Sequence, residues 1–115
     1  MPHFVIDCSP NVLKLILPQE TIQAVHDEAE ATGLFAKGDI KARIRAYEYY
    51  TIGNSHDDFI HVFGYIMQGR TTEQKADLSR RIITKLKSMF PDVPVISMNV
   101  MDFEKATYCN RKMII

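Results

Sequence analysis

Two successive segments of this 115-residue chain share one pattern, a strand, a helix and a second strand, and this repeat most constrains the fold. In the second segment, residues 59–67 are typical of a strand, apolar side chains recur at helical spacing over 71–90, and 93–103 is again strand-like. Thr71 and Gln74 have the spacing of a capping box at the start of the helix. A helix that connects two strands brings them side by side in parallel, through a right-handed crossover.

The first segment repeats this order with a weaker signal. Residues 2–9 alternate between the two sides of a strand, 21–33 carries an apolar stripe at helical spacing, and 40–53 is rich in strand-forming residues. Gly33 is well placed to end the helix, and 53–58 has the composition of a turn.

The two βαβ halves predict a single α/β (α+β) domain that spans residues 1–115. Its four strands form one mixed sheet with two helices on one face. Two helices cannot cover both faces, and the last strand carries apolar residues at alternate positions, Ile96, Met98 and Val100. Either these side chains or the ones between them point away from the helices. An apolar sheet face without a cover predicts that the chain forms an oligomer.

Charge and composition argue against several classes of function. The 14 basic and 14 acidic residues balance, and no basic stretch is concentrated enough to predict nucleic-acid binding. The apolar run 12–18 is short and interrupted by Lys14, so neither a signal peptide nor a membrane span is predicted. Cys8 and Cys109 do not make a disulfide framework, and a cytoplasmic location is expected.

Pro2 directly follows the initiator methionine and leads into the first strand. If Met1 is removed, the nitrogen of Pro2 becomes a free secondary amine that can accept a proton. An apolar pocket, to which Phe4 and aromatic strand residues can contribute, or cations nearby would lower the pKa of such an amine. It could then act as a general base. The alternative is a proline that only begins a strand, where its missing N–H is harmless.

Arg70 immediately precedes the predicted capped helix and follows Gly69, which permits a close approach of the backbone. A helix N terminus offers unpaired N–H groups and the positive end of the helix dipole. A guanidinium at this point would form a binding site for a carboxylate, because its N–H groups match two oxygens at once. The alternative is an exposed arginine in a turn.

Three cations, Lys41, Arg43 and Arg45, alternate onto one face of the second predicted strand. Such a concentration of positive charge inside a sheet is unusual. The alternative is that these cations pair with Asp7, Glu48 or another carboxylate across the sheet.

The residues also resemble a known family. The stretches that carry the resemblance are PHFVIDCS at the start, ATGLF followed by IKARI, and HDDFIHV leading to GRTTEQK. Together with the proline at position 2 and the two βαβ halves, they are similar to the tautomerase superfamily. Within it, the resemblance is to the 5-carboxymethyl-2-hydroxymuconate isomerase family, and it extends to about residue 103.

The resemblance implies a homotrimeric isomerase, without a cofactor, that moves a proton on unsaturated 2-oxo or 2-hydroxy carboxylic acids. It implies that Pro2 is the general base and that Arg70, with Lys41 or Arg43, binds the substrate. Relatives tend to have arginines where this chain has Lys41 and Arg43. Because a lysine cannot form a bidentate fork, the substrate preference is expected to differ within the family.

Other functions stay open at this point. A trimer of the same fold could bind a small acid or a partner protein without turnover, or catalyse decarboxylation or dehalogenation with the N-terminal amine as an acid. His56 and His61 straddle a turn and a strand, so no metal site is predicted from them. Neither cysteine has the local setting of a nucleophile.

Overall fold

The computed structural model describes all 115 residues and contains one four-stranded sheet in the order β2-β1-β3-β4. The elements are β1 (His3–Cys8), α1 (Val12–Leu15), α2 (Pro18–Ala31), β2 (Lys41–Ala46), β3 (Phe59–Met67), α3 (Thr72–Met89), β4 (Val95–Phe103) and two 3-10 turns, Lys105–Thr107 and Arg111–Met113. β1 is parallel to β2 and β3 is parallel to β4, whereas the central strands β1 and β3 are antiparallel. The predicted mixed sheet of two βαβ halves is therefore confirmed.

Both long helices pack on the same face of the sheet. α3 begins at the predicted capping box, in which the Thr71 side chain and the Gln74 backbone and side chain bond reciprocally. The buried core between helices and sheet is apolar, and its helical members recur every four residues: Val25 and Ala29 on α2, and Leu78, Ile82 and Leu86 on α3. None of the helices is long and apolar enough to cross a membrane.

Two predicted boundaries in the first half are wrong. The strand predicted over 40–53 ends at Ala46, because its partner β1 ends at Cys8, the residue paired with Ala46. The following residues have no neighbouring strand to bond and form a loop with a tight turn instead. The first long helix begins at Pro18 rather than at residue 21, since a proline suits the first turn of a helix, where its missing N–H costs nothing.

The register of β4 with β3 decides which side chains of β4 point toward the helices. Ile96, Met98 and Val100 pack against the core beneath the helices, so these are not the residues of the uncovered face. The alternate residues occupy that face, in line with the odd-numbered residues of the other strands. Its larger side chains are His3, Val5, Asp7, Lys41, Arg43, Arg45, His61, Phe63, Tyr65, Asn99, Met101 and Phe103. The uncovered face is therefore a mixture of aromatic and charged groups.

Candidate active site

Pro2 and Arg70 line one cavity of about 180 Å³. The antiparallel pairing of β1 with β3 explains this, because it sets the start of β1 beside the end of β3 and the turn that follows. Pro2 is buried, and its carbonyl accepts a hydrogen bond from the Lys41 backbone N–H at 3.0 Å, which continues the pairing of β1 with β2. The other residues of the cavity wall are Met1, Phe35, Ala36, Asp39 and Met67.

Arg70 is a half-buried guanidinium without a carboxylate partner in the chain. Its Nη1 donates to the Met67 carbonyl at 3.2 Å, its Nη2 donates to the Leu34 carbonyl, and its Cζ lies 5.3 Å from the centre of the Phe35 ring. Gly69 has a φ of 119°, which a side chain would disfavour, and so allows the turn that presents Arg70. The positive charge is thus held in place by carbonyls and an aromatic face, and remains free to attract an anion.

Asp39 brings a negative charge to the same cavity. Its carboxylate forms an ion pair with the terminal ammonium of Met1 and lies 3.7 Å from Nζ of Lys41. The hydrogen bond from the terminal ammonium, followed by the charges of that group and of Lys41, lowers the pKa of Asp39. The chain end that precedes Pro2 is therefore anchored by a carboxylate that the sequence did not single out.

Lys41 and Arg43 share a sheet face but not a site. Lys41 lies against Asp39 at the edge of the Pro2 cavity, and its Nζ also donates to the Asp39 carbonyl at 2.7 Å. Arg43 lies further along the strand, where its Nη1 is 3.0 Å from Nδ1 of His3. Burial, with the charges of Arg43, Lys41 and the chain end, lowers the pKa of His3, so the neutral ring accepts this bond.

A second, more open cavity of about 530 Å³ adjoins Arg43 on the uncovered sheet face. It is lined by Val5, Arg43, Ile44, Arg45 and Tyr65. Arg45 donates to the Tyr47 hydroxyl at 2.9 Å and lies over the ring of that residue. Neither arginine forms an ion pair with Asp7, Glu48 or another carboxylate, so the alternative of pairing across the sheet does not hold for these two.

Two predicted contributions to the cavity are also not found there. No residue of the first turn of α3 lines the cavity. Two backbone N–H groups at this end of the helix are already bonded, that of Thr71 to the Gln74 side chain and that of Gln74 to the Thr71 side chain. Phe4 lies in the core rather than on the wall, where its ring meets Phe35 edge-on at 6.0 Å. The apolar part of the wall therefore comes from Met1, from Phe35 and Ala36 in a loop, and from Met67 at the end of a strand.

The segment after β4 folds back over the chain end. The hydroxyl of Tyr108 contacts Sδ of Met1, and Nδ2 of Asn110 lies 3.7 Å from the same sulfur atom. The Tyr108 ring packs 5.8 Å from the ring of Phe103. Sequence reasoning missed this arrangement, because a short irregular segment carries no periodicity that would reveal its neighbours.

The remaining candidate groups lie elsewhere. His61 faces the uncovered side, where its ring nitrogens are 2.6 Å from Oγ of Ser97 and 2.7 Å from Oδ1 of Asn99. His61 therefore bonds to the neighbouring strand β4. Cys8 is buried, and burial raises the pKa of its thiol to about 11, which keeps it protonated and unreactive.

Comparisons with known proteins agree with this architecture. The curated 5-carboxymethyl-2-hydroxymuconate Delta-isomerase of Escherichia coli is 23% identical over 106 residues, which cover 90% of this chain and 84% of that protein. A crystal structure of a 5-carboxymethyl-2-hydroxymuconate isomerase from Deinococcus radiodurans R1 superposes with a TM-score of 0.84 at 23% identity, covering 96% and 88% of the two chains. A fused 4-OT wild type symmetric trimer superposes with a TM-score of 0.79 at 15% identity, covering 96% and 93%.

The match to a family model is more decisive than these pairwise similarities. The model described as 5-carboxymethyl-2-hydroxymuconate isomerase matches residues 2–113, which is almost the whole chain. This confirms the resemblance that the sequence motifs indicated and the prediction of an isomerase. The chain belongs to the 5-carboxymethyl-2-hydroxymuconate isomerase family.

Proposed function

We propose that this isomerase moves a proton on unsaturated 2-oxo or 2-hydroxy carboxylic acids of the 5-carboxymethyl-2-hydroxymuconate type, with Pro2 as the general base. One observation carries the proposal: Pro2 and Arg70, which are far apart in the chain, line the same cavity. A proton acceptor and a carboxylate-binding cation are the two groups that such a reaction requires. The names of the family and of its E. coli relative support the substrate class.

The chemistry follows from the placement of these groups. Removal of Met1 would convert the amide nitrogen of Pro2 into a secondary amine inside the cavity. From a 2-hydroxy acid the amine takes the hydroxyl proton, and from a 2-oxo acid it takes a proton from carbon; in both cases the negative charge comes to lie on the oxygen on C2. The resulting ammonium then delivers the proton to a carbon of the conjugated system, so the double bond shifts and no other reactant is consumed. Arg70 holds a carboxylate so that the two substrate atoms that exchange the proton stay within reach.

Lys41 and Arg43 are proposed as secondary contacts for the substrate. Lys41 is the nearer to Pro2, since Asp39 connects it to the cavity wall. Arg43 borders the second cavity on the uncovered face. A substrate with two carboxylates would require one of these cations in addition to Arg70.

The chain is further proposed to assemble as a homotrimer. The uncovered sheet face carries Val5, Phe63, Tyr65 and Phe103, none of which is buried in the single chain. Two neighbours of the same fold are described as trimers. Sizing combined with light scattering should give three times the mass of one chain, and a stable monomer would contradict this assembly.

The decisive experiment measures turnover together with the state of the chain end. Mass spectrometry should show that Met1 is absent, and 2-hydroxymuconate or the enol of phenylpyruvate should be converted to the corresponding 2-oxo acid. Full activity in a protein that retains Met1 would disprove the role of Pro2, because an amide nitrogen cannot accept the proton. A processed protein that converts neither acid would contradict the proposed reaction.

The carboxylate of Asp39 favours a second candidate function. A negative charge beside the chain end stabilises the ammonium form of an amine, which suits an acid in decarboxylation or dehalogenation. A titration of the Pro2 nitrogen by NMR separates the two functions: a pKa below about 7.5 supports the base, and one near 9 supports the acid.

A further inference from the structure

We propose that Tyr108 and Asn110 are substrate-binding residues, which hold the oxygen on C2 of the substrate once Met1 has been removed. This inference rests on the proposed function, because it assigns a partner to the atom that carries the negative charge during the reaction. Both residues belong to the segment after β4 that folds over the chain end.

The segment is fixed to the turn that carries Arg70. The backbone N–H of Lys105 donates to Oε1 of Gln68 at 2.6 Å, and the backbone N–H of Gln68 donates to the Phe103 carbonyl at 3.1 Å. Gln68 stands two positions before Arg70 in the same turn. The start of the segment is therefore bonded to the turn in which Met67 and Arg70 line the cavity.

The polar groups of both residues now face the side chain of Met1. The Tyr108 hydroxyl and the Asn110 amide nitrogen both point to Sδ of Met1, and a thioether sulfur is a weak acceptor. The amide oxygen of Asn110 is buried and has no hydrogen-bond partner. A hydroxyl and an amide N–H that meet at one weakly accepting sulfur indicate a stronger acceptor, such as an oxygen of a ligand, in its place.

Met1 itself lines the cavity beside Pro2 and Arg70. Its removal would therefore enlarge the cavity toward Tyr108 and Asn110 and leave their donors directed at the space next to the Pro2 amine. An O–H and an N–H donor at this point can both bond to one oxygen atom. They would bind the C2 oxygen most strongly when it is negatively charged, between the two proton transfers, and so stabilise the transition state more than the substrate.

The three roles are chemically distinct. Pro2 transfers the proton, Arg70 binds a carboxylate, and Tyr108 and Asn110 bond to the oxygen on C2. Loss of either donor should thus reduce kcat while the carboxylates are still held, which would leave KM nearly unchanged.

The test uses the full-length processed protein and its Tyr108→Phe and Asn110→Ala variants, with Tyr49→Phe as the matched control. Tyr49 is 89% exposed and its hydroxyl has no hydrogen bond, so the control removes a tyrosine hydroxyl that has no partner in the chain. With 2-hydroxymuconate, each of the two test variants should lose about tenfold to hundredfold in kcat, with KM within about threefold of the parent. The control should match the parent.

A pair of ligands separates a contact with substrate from a structural role. The reactive 2-hydroxymuconate presents an oxygen on C2 to the two donors, whereas muconate has the same two carboxylates and no oxygen on C2. Inhibition by muconate should be the same in Tyr108→Phe and in the parent. If muconate binding falls as much as kcat does, the residues only support the cavity and the inference is overturned.

The remaining outcomes are also decisive. Kinetics of both variants that equal those of Tyr49→Phe, in a parent that converts 2-hydroxymuconate, would overturn this inference and leave the proposed function intact. A processed parent that converts no 2-oxo or 2-hydroxy acid would overturn the proposed function and this inference together. An active protein that retains Met1 would do the same, since the sulfur would still occupy both donors.

Discussion

Replacement of Arg70 by alanine tests the carboxylate site most directly. The guanidinium has five N–H donors, of which the carbonyls of Met67 and Leu34 take two. Three donors remain for a substrate, enough for a bidentate contact with a carboxylate. No acidic side chain competes for them, because Arg70 forms no ion pair within the chain.

The expected loss can be estimated from these contacts. One charge-assisted contact in the transition state contributes roughly 2–4 kcal/mol, and each 1.36 kcal/mol is tenfold in rate, so kcat/KM should fall about 30-fold to 1000-fold in Arg70→Ala. The two bonds to backbone carbonyls contribute net about 0.5–1.5 kcal/mol each to the free energy of unfolding. Since Arg70 is only half-buried, the loss of stability should lie in the lower part of that range.

The assay compares kcat and KM of the parent, Arg70→Ala and Arg70→Lys on a dicarboxylate substrate. Arg70→Lys should recover only part of the loss, since one ammonium cannot reproduce the fork. The matched control is Arg81→Ala on α3, which loses an exposed guanidinium bonded to Asp77 at 3.1 Å, away from the cavity. Melting temperatures show whether the fold survives, and added guanidinium ion should restore part of the activity of Arg70→Ala.

Unchanged kinetics in a folded Arg70→Ala variant would refute the reasoning. The turn before α3 would then not be the anion site, and the role of carboxylate binding would pass to Lys41 and Arg43. A loss of activity that follows the loss of stability and is not rescued by guanidinium would show that Arg70 acts only by joining the two loops of the cavity wall.

Three further predictions concern the chain end, the sheet face and the helix cap. Pro2→Ala leaves a primary amine of different basicity, so kcat should fall by at least about tenfold while KM changes little; equal kcat would contradict a catalytic amine. The pKa of His3 is lowered in the folded state, so its contribution to stability is complete above about pH 6.5 and is lost as the pH falls through the folded value. Urea midpoints at pH 7.5 and 5.5 should therefore differ more in the parent than in His3→Asn, and equal differences would refute the assignment. Thr71→Ala removes the acceptor for the Gln74 N–H and should lower the free energy of unfolding by about 1 kcal/mol in urea denaturation, whereas no change would show that the cap is replaced by water.

The repeat of strand, helix and strand could be predicted because each periodicity is local. The predicted strand 59–67 coincides with β3, and the helix predicted over 71–90 is α3 within one residue at each end. The end of β2 could not be predicted, because residues after Ala46 have the composition of a strand but no partner to bond. Composition indicates that a segment can form a strand, but the length of the neighbouring strand decides where the pairing ends.

Pro2 and Arg70 could be named from the sequence, since one stands at a chain end and the other before a helix with a clear cap. The other residues of the cavity wall could not be named from the sequence. Phe35 and Asp39 lie in the loop between α2 and β2, so tertiary packing alone brings them to the cavity, and Tyr108 reaches Met1 from the tail in the same way. Irregular segments have no period from which a buried face can be deduced, and this is why the polar groups near Met1 had no signal in the sequence.

The uncovered sheet face carries charges that are not balanced within one chain. Arg43 and Arg45 have no carboxylate partner, whereas one oxygen of Asp7, which lies beside Arg45 in the sheet, is buried without a hydrogen bond. An unpaired buried polar atom destabilises a fold unless something else completes it. A substrate carboxylate can complete the arginines but not Asp7, which needs a donor. A second copy of the chain would offer both a donor for Asp7 and a cover for the aromatic residues, so the charges of this face support the proposed trimer as its apolar residues do.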